Sequence, residues 1–291
     1  MILAARRLSL RFALLLALVL FPTEVRADGG ERLIYNDGFV RVLSEDPLGK
    51  EECKTISGKI RAAWEFDLGV MRWSDHRKID GPIELRVMSP ERFEHRGSAN
   101  CKGVRFTMRT NLLDDESGYR TIAHELGHLQ SYRALGKRAC AHEVPKYFLE
   151  GHGNELNRLY AEHLHIIDAK GNAQVAHKIM SLGAEEVRKI LTDDAYSKTG
   201  DFTMECVGFY LVEYLQAPHH GKAIAEVVPR MARVFEAVGK GDAYDVAFRK
   251  AFGVSIDAVV GDVVALFERT AAHPEERLTG TRLAAFVSKA Q

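Results

Sequence analysis

Thr121–Gln130 reads Thr-Ile-Ala-His-Glu-Leu-Gly-His-Leu-Gln. The apolar positions Ile122, Ala123, Leu126 and Leu129 recur with the period of an amphipathic helix. At about 100° per residue, His124 and His128 leave such a helix on one face, with both imidazoles able to reach one metal ion. Glu125 is rotated about one step away, beside the metal and not on it, where a general base for hydrolysis has to stand. Gly127 leaves room for a second backbone to approach. A catalytic zinc ion takes three protein donors and keeps one position open, so the pattern predicts a third ligand elsewhere in the chain.

A histidine six residues beyond His128 would complete one known arrangement, but that position is Ala134. Further on, the apolar Tyr147-Phe148-Leu149 leads into Glu150-Gly151. A helix beginning there can lie antiparallel to the first and aim the Glu150 carboxylate at the metal. With this spacing the chain resembles the gluzincin zinc metallopeptidases, the superfamily of aminopeptidase N and thermolysin, and especially their compact peptidase MA-like members. The resemblance implies one zinc ion held by His124, His128 and Glu150, with Glu125 as the base in peptide-bond hydrolysis. It also implies that Tyr196, in Tyr196-Ser197-Lys198-Thr199-Gly200, supplies a hydroxyl to the oxyanion, although one residue is inserted relative to the usual segment. Ala251-Phe252-Gly253-Val254-Ser255 is similar to a segment near the end of such domains. His152 occupies a position that is usually small in the superfamily, and is an additional candidate donor in the cleft.

The amine-holding Gly-x-Met-Glu-Asn segment of the aminopeptidases has no counterpart in Asn100–Tyr119, so an endopeptidase is expected in preference to an aminopeptidase. Two other readings stay open at this stage. One is a zinc-containing envelope binding module without activity; the other is a zinc hydrolase of a non-peptide amide or ester.

Arg6, Arg7 and Arg11 precede the apolar run Phe12–Phe21, and a small-residue site ends at Ala27. This is the pattern of a signal peptide over residues 1–27, which predicts export to the periplasm or outside the cell. Without that segment the chain carries 36 basic and 39 acidic residues, and no basic stripe of the kind nucleic acid demands. No stretch approaches the roughly 20 apolar residues of a membrane span. The expected partner is a peptide or protein substrate. Cys53, Cys101, Cys140 and Cys206 in an oxidising compartment allow three pairings; the expectation is Cys53 with Cys101 and Cys140 with Cys206.

The fold expected is α+β. Residues 28–118 form a small mixed-sheet lobe, with strands at Ile83–Met88 and Val104–Met108 and a helix at Ile56–Trp64, while Leu33–Val42 is polar and broken by Gly38. Residues 119–291 form a helical lobe, with helices at Tyr119–Leu135, Tyr147–His165, Ala173–Met180, Ala184–Leu191, Thr203–Gln216, Gly221–Val238, Asp242–Phe252 and Ser255–Thr270. The site is expected in the cleft between the lobes. Trp64, Phe66 and Trp73 read as core, and His163, His165, His177 and His219-His220 as structural or solvated.

Overall fold

The computed structural model describes residues 31–73, 81–113, 116–192, 202–217 and 226–287. The expected leader, Tyr196 and His219-His220 lie outside them.

Among the described residues, five short strands form one mixed sheet in the order β1-β2-β3-β5-β4: β1 (Arg32–Asn36), β2 (Val40–Ser44), β3 (Ile83–Met88), β4 (Gly97–Ala99) and β5 (Arg105–Arg109). The central pairings, β2 with β3 and β3 with β5, are parallel, and the two edge strands are antiparallel to their neighbours. Alternation decides which face is covered. Ile83, Leu85, Val87, Phe106 and Met108 are fully buried, whereas the opposite face carries ion pairs such as Arg105 with Glu84, which stand directly opposite each other in register.

Gly38, read from the sequence as a break, is a hairpin turn between β1 and β2. The Asn36 and Asp37 side chains accept the N–H groups of Gly38, Phe39 and Val40, and Gly38 takes a positive φ of 85°. Helix α1 (Lys50–Met71) is the crossover from β2 to parallel β3. It begins earlier than its apolar stretch because the Glu52 carboxylate accepts the Gly49 N–H and closes the polar first turn.

Helices α2 (Glu116–Leu135) and α3 (Lys146–His163) follow, then α4 (Ala169–Ser181), α5 (Ala184–Thr192), α6 (Phe202–Gln216), α7 (Val227–Gly239), α8 (Tyr244–Phe252), α9 (Ile256–Arg269) and the short α10 (Ala284–Val287). The molecule is therefore α+β, a small sheet followed by a mainly helical region. One core lies between the sheet, α1 and α2, around Ile60, Leu85, Phe106 and Leu126. A larger one surrounds α6, through Phe148, Tyr210, Phe235 and Phe248. From Met204 to Leu215, α6 is buried nearly all round, so it is a central helix and not a one-sided one. Its backbone meets α3 directly: a Cβ at Gly151 would lie 2.4 Å from the Gly208 carbonyl oxygen, and one at Gly208 would lie 2.1 Å from that of Tyr147.

A buried ionic network joins α3, α6 and the C-terminal segment. Glu155 accepts from Arg158 at 2.8 and 2.9 Å, from Gln216 at 2.8 Å and from Arg282 at 3.0 Å, and Arg282 also donates to Glu213 at 2.8 Å. Trp64 and Trp73 are core residues, and Phe66 packs on Tyr160 with ring centres 5.1 Å apart.

The cysteines pair differently from the expectation. The disulfide joins Cys101 to Cys140, with Cα atoms 5.2 Å apart, while Cys53 and Cys206 are buried thiols in the two separate cores. Cys101 follows edge strand β4 and Cys140 follows α2, so the bond fastens the strand edge to the end of the helix beneath it. No helix among the described residues is long and apolar enough to cross a membrane.

Candidate metal centre

Helices α2 and α3 run antiparallel, since Arg120 meets Asn157, His124 lies against Gly153 and His128 reaches Glu150. Gly127 permits this approach: a Cβ there would sit 2.6 Å from Leu156 Cδ1 and 3.6 Å from the Gly153 Cα. The consequence is a three-donor cluster. His124 Nε2 and His128 Nε2 are 2.9 Å apart, and each is 3.3 Å from Glu150 Oε2. Three donors bound tetrahedrally at about 2.0–2.1 Å stand roughly 3.3 Å from one another, so His124, His128 and Glu150 fit a single metal ion. Burial works against charge on Glu150, but the adjoining His128 and His124 more than offset it and hold the carboxyl well below its usual range.

Glu125 stands beside this cluster. It is 5 % exposed, its carboxylate accepts the Ala99 N–H from β4, and its Oε2 has no hydrogen-bond partner among the described residues. Gly97 on β4 clears the space for it, because a Cβ there would fall 2.3 Å from Glu125 Oε1. Burial pushes the Glu125 pKa up to about 8, opposed by His124 and aided by Glu150 and Glu205. A dication in the cluster would favour its ionised form.

His124 and Glu125 open onto a cavity of about 260 Å³ lined by His95, Arg96 and Gly97 from the sheet side and by residues of α3, α4 and α6 from the helical side. This is the cleft expected between the two parts. Its wall includes Arg120, which binds Asn157 Oδ1 at 2.9 Å and pairs with Asp168.

His152, considered from the sequence as a donor in the cleft, is turned away from it. It is wholly buried, its Nδ1 lies 3.1 Å from Ser131 Oγ, and its ring meets Phe235 edge-on at 5.0 Å. Burial, with the charges of His128 and His124, lowers its pKa to about 3 and keeps it neutral. Asn154 lines the cavity. His163 packs on Phe66, and neither it nor His165 or His177 joins a metal cluster among the described residues.

Two residues of the site escaped the sequence reading. Tyr132 stacks on His128 at 6.0 Å, and burial together with Glu150 and Glu125 raises its pKa. Its signal was present, as Arg120, His124, His128 and Tyr132 recur every four residues along one helix face. Glu205, on the first turn of α6, faces the same cavity.

The chain matches no family model, and no curated protein matches it in sequence.

Proposed function

We propose that this protein is an exported zinc metallopeptidase that hydrolyses peptide bonds internally. The observation that carries the reading is the position of Glu125: it is buried beside His124, His128 and Glu150, is not one of the three donors, lines the cavity, and has one oxygen without a partner among the described residues. A site meant only to hold metal for stability normally closes with a fourth protein ligand and has no use for such a carboxylate.

Two imidazoles and one carboxylate with an open side are the donor set of catalytic zinc. Bound there, zinc would polarise the scissile carbonyl and bring the pKa of water towards 7. The chain's own residues account for the proton. Ala99 N–H holds the Glu125 carboxylate in place; its free Oε2 accepts the proton of the attacking water and then delivers it to the leaving amide nitrogen. Tyr196 is the oxyanion donor in this reading, on the strength of its sequence context alone.

The peptide class is supported by β4, an edge strand of the sheet adjoining Glu125. An extended peptide can add to such an edge through main-chain hydrogen bonds, and this brings its carbonyls past the metal. Export is supported by the leader pattern and by the Cys101–Cys140 disulfide, a bond that persists in oxidising compartments.

The test is peptide-cleavage profiling of wild type beside Glu125→Gln, with metal analysis of both. Zinc should remain while hydrolysis falls by at least roughly 10²-fold. Tyr196→Phe should cost roughly 10- to 10³-fold if its hydroxyl serves the oxyanion. A folded, zinc-loaded Glu125→Gln protein as active as wild type would refute the mechanism and favour a binding module.

A further inference from the structure

Among the partly buried charged side chains on the wall of the metal cavity, Glu205 differs in having no hydrogen-bond or ion-pair partner among the described residues. Arg120 is paired with Asp168 and Asn157, Arg158 with Glu155 and Glu162, and Glu125 accepts the Ala99 N–H. The Glu205 carboxylate makes no hydrogen bond or ion pair among the described residues. Arg96, exposed at the rim, forms none with it, and Lys146 acts on it only from a distance. Glu205 is half-buried beside Phe202, Phe209 and Val175, all of which line the same cavity. It is close enough to the centre for Glu150, His124 and His128 to act on it.

A carboxylate in such surroundings has lost part of its hydration without gaining a counter-charge, a cost that proteins seldom leave unrepaid. Burial and the neighbouring Glu150 both raise its pKa, as expected for an anion short of a cation. The position also suits recognition, since Glu205 reaches the cavity from the helical side while β4 and Glu125 stand on the strand side. Glu125, 95 % buried and with an Oε2 that has no partner among the described residues, lines the same cavity and feels the Glu205 charge, so the two carboxylates bound one space that a ligand can fill.

We propose that Glu205 is the specificity carboxylate of this cleft and receives a cationic nitrogen of the substrate close to the bond that is cut. The cation is either a lysine side chain, whose methylenes would lie along Phe202 and Phe209, or the free α-amino group of a short peptide, in which case the cut is amino-terminal and the internal specificity proposed above falls. This inference rests on the peptidase reading for the reaction and on Glu205 for the choice of substrate.

The experiment uses one synthetic peptide series in four forms: lysine or norleucine flanking the scissile bond, each with a free or an acetylated N-terminus. Cleavage is measured with wild type and with Glu205→Gln. Binding of the same peptides is measured by calorimetry on zinc-loaded Glu125→Gln and on the Glu125→Gln/Glu205→Gln double variant. A charge-assisted hydrogen bond supports a preference of roughly 10- to 100-fold for the cationic form. That ratio should fall to about 2-fold or less when Glu205 becomes Gln, with zinc content and unfolding temperature retained. Loss of the preference on acetylation identifies the α-amine, and loss on norleucine substitution identifies the side chain.

Cleavage without charge preference, or with a preference that survives Glu205→Gln, overturns the inference and leaves the peptidase reading standing. Loss of zinc in Glu205→Gln overturns it as well, by making Glu205 a ligand. If no peptide is cleaved but lysine peptides bind Glu125→Gln in a Glu205-dependent way, the inference holds and the peptidase reading falls. Neither cleavage nor binding removes both.

Discussion

The α-carbon of Gly97 lies directly against the carboxylate of Glu125, so that a single added methyl group would overlap Glu125 Oε1 at 2.3 Å. The strand edge and the carboxylate on the helix beneath it are thus fitted to each other. Gly97→Ala should displace the Glu125 carboxylate without touching the three metal donors. A misplacement of about 1 Å can cost about 10²-fold in rate, and that is the loss expected in kcat/KM, with zinc content unchanged. Zinc loss in this variant would show that the strand supports the metal and not the base.

Glu150→Gln and Glu155→Gln should fail in different ways, although only one helical turn and a residue separate them. The first removes a donor from the cluster and should release the metal on dialysis. The second should keep the metal and lose stability, about 3 kcal/mol, because it strips a buried carboxylate from Arg158 and Arg282. Glu155 has its pKa lowered from 4.5: burial opposes the charge, and Arg158, Arg282 and Gln216 outweigh it. Its contribution is therefore complete above pH 4.5 and disappears as the pH falls towards the lowered folded value. Acid titration of unfolding in wild type against Glu155→Gln measures both quantities.

Asp67 on α1 is fully buried, and neither of its carboxylate oxygens has a partner among the described residues. Burial raises its pKa well above 3.8, so the folded protein holds a proton there that the unfolded chain releases. The sign is opposite to that of Glu155: the stability this proton confers declines as pH rises from 3.8 to the folded value, at up to about 1.4 kcal/mol per pH unit. Asp67→Asn should remove that slope. Urea denaturation at several pH values above 5 should show the variant overtaking wild type, and parallel curves would count against a protonated Asp67.

Alkylation of the unfolded, unreduced protein should label Cys53 and Cys206 only, and neither should react in the folded state. Reduction should expose Cys101 and Cys140 and lower stability by about 4 kcal/mol, the chain-entropy value for a separation of 39 residues. Labelling of all four before reduction would mean that the bond does not form.

The parts of the site that sequence revealed are those dictated by short-range periodicity. His124 and His128 share a face because the helix repeat puts them there, and Glu150 follows from a second apolar run, which predicts a helix returning along the first, together with the resemblance to the gluzincin spacing. The same logic located β3 and most of the helices to within a few residues. Relationships closed by tertiary contact were not legible in this way. The Cys101–Cys140 bond depends on where the loop beyond β4 meets the end of α2, which no local pattern encodes. Glu205 was hidden for a different reason: a glutamate in the first turn of a helix is what the helix dipole alone favours, so its sequence position gave no hint that it faces a cavity.

The crossing of α3 and α6 at Gly151 and Gly208 gives the candidate metal centre an indirect dependence. Glu150 immediately precedes the residue at which the two backbones touch, so its reach to the histidines is set by main-chain contact with a helix that contributes no donor to the cluster. A side chain introduced at position 208 would push against the Tyr147 carbonyl and tilt α3, carrying the third ligand with it. In a genetic screen for lost metal binding, such a lesion would map more than fifty residues from the nearest of the three donors and read as an unrelated folding defect.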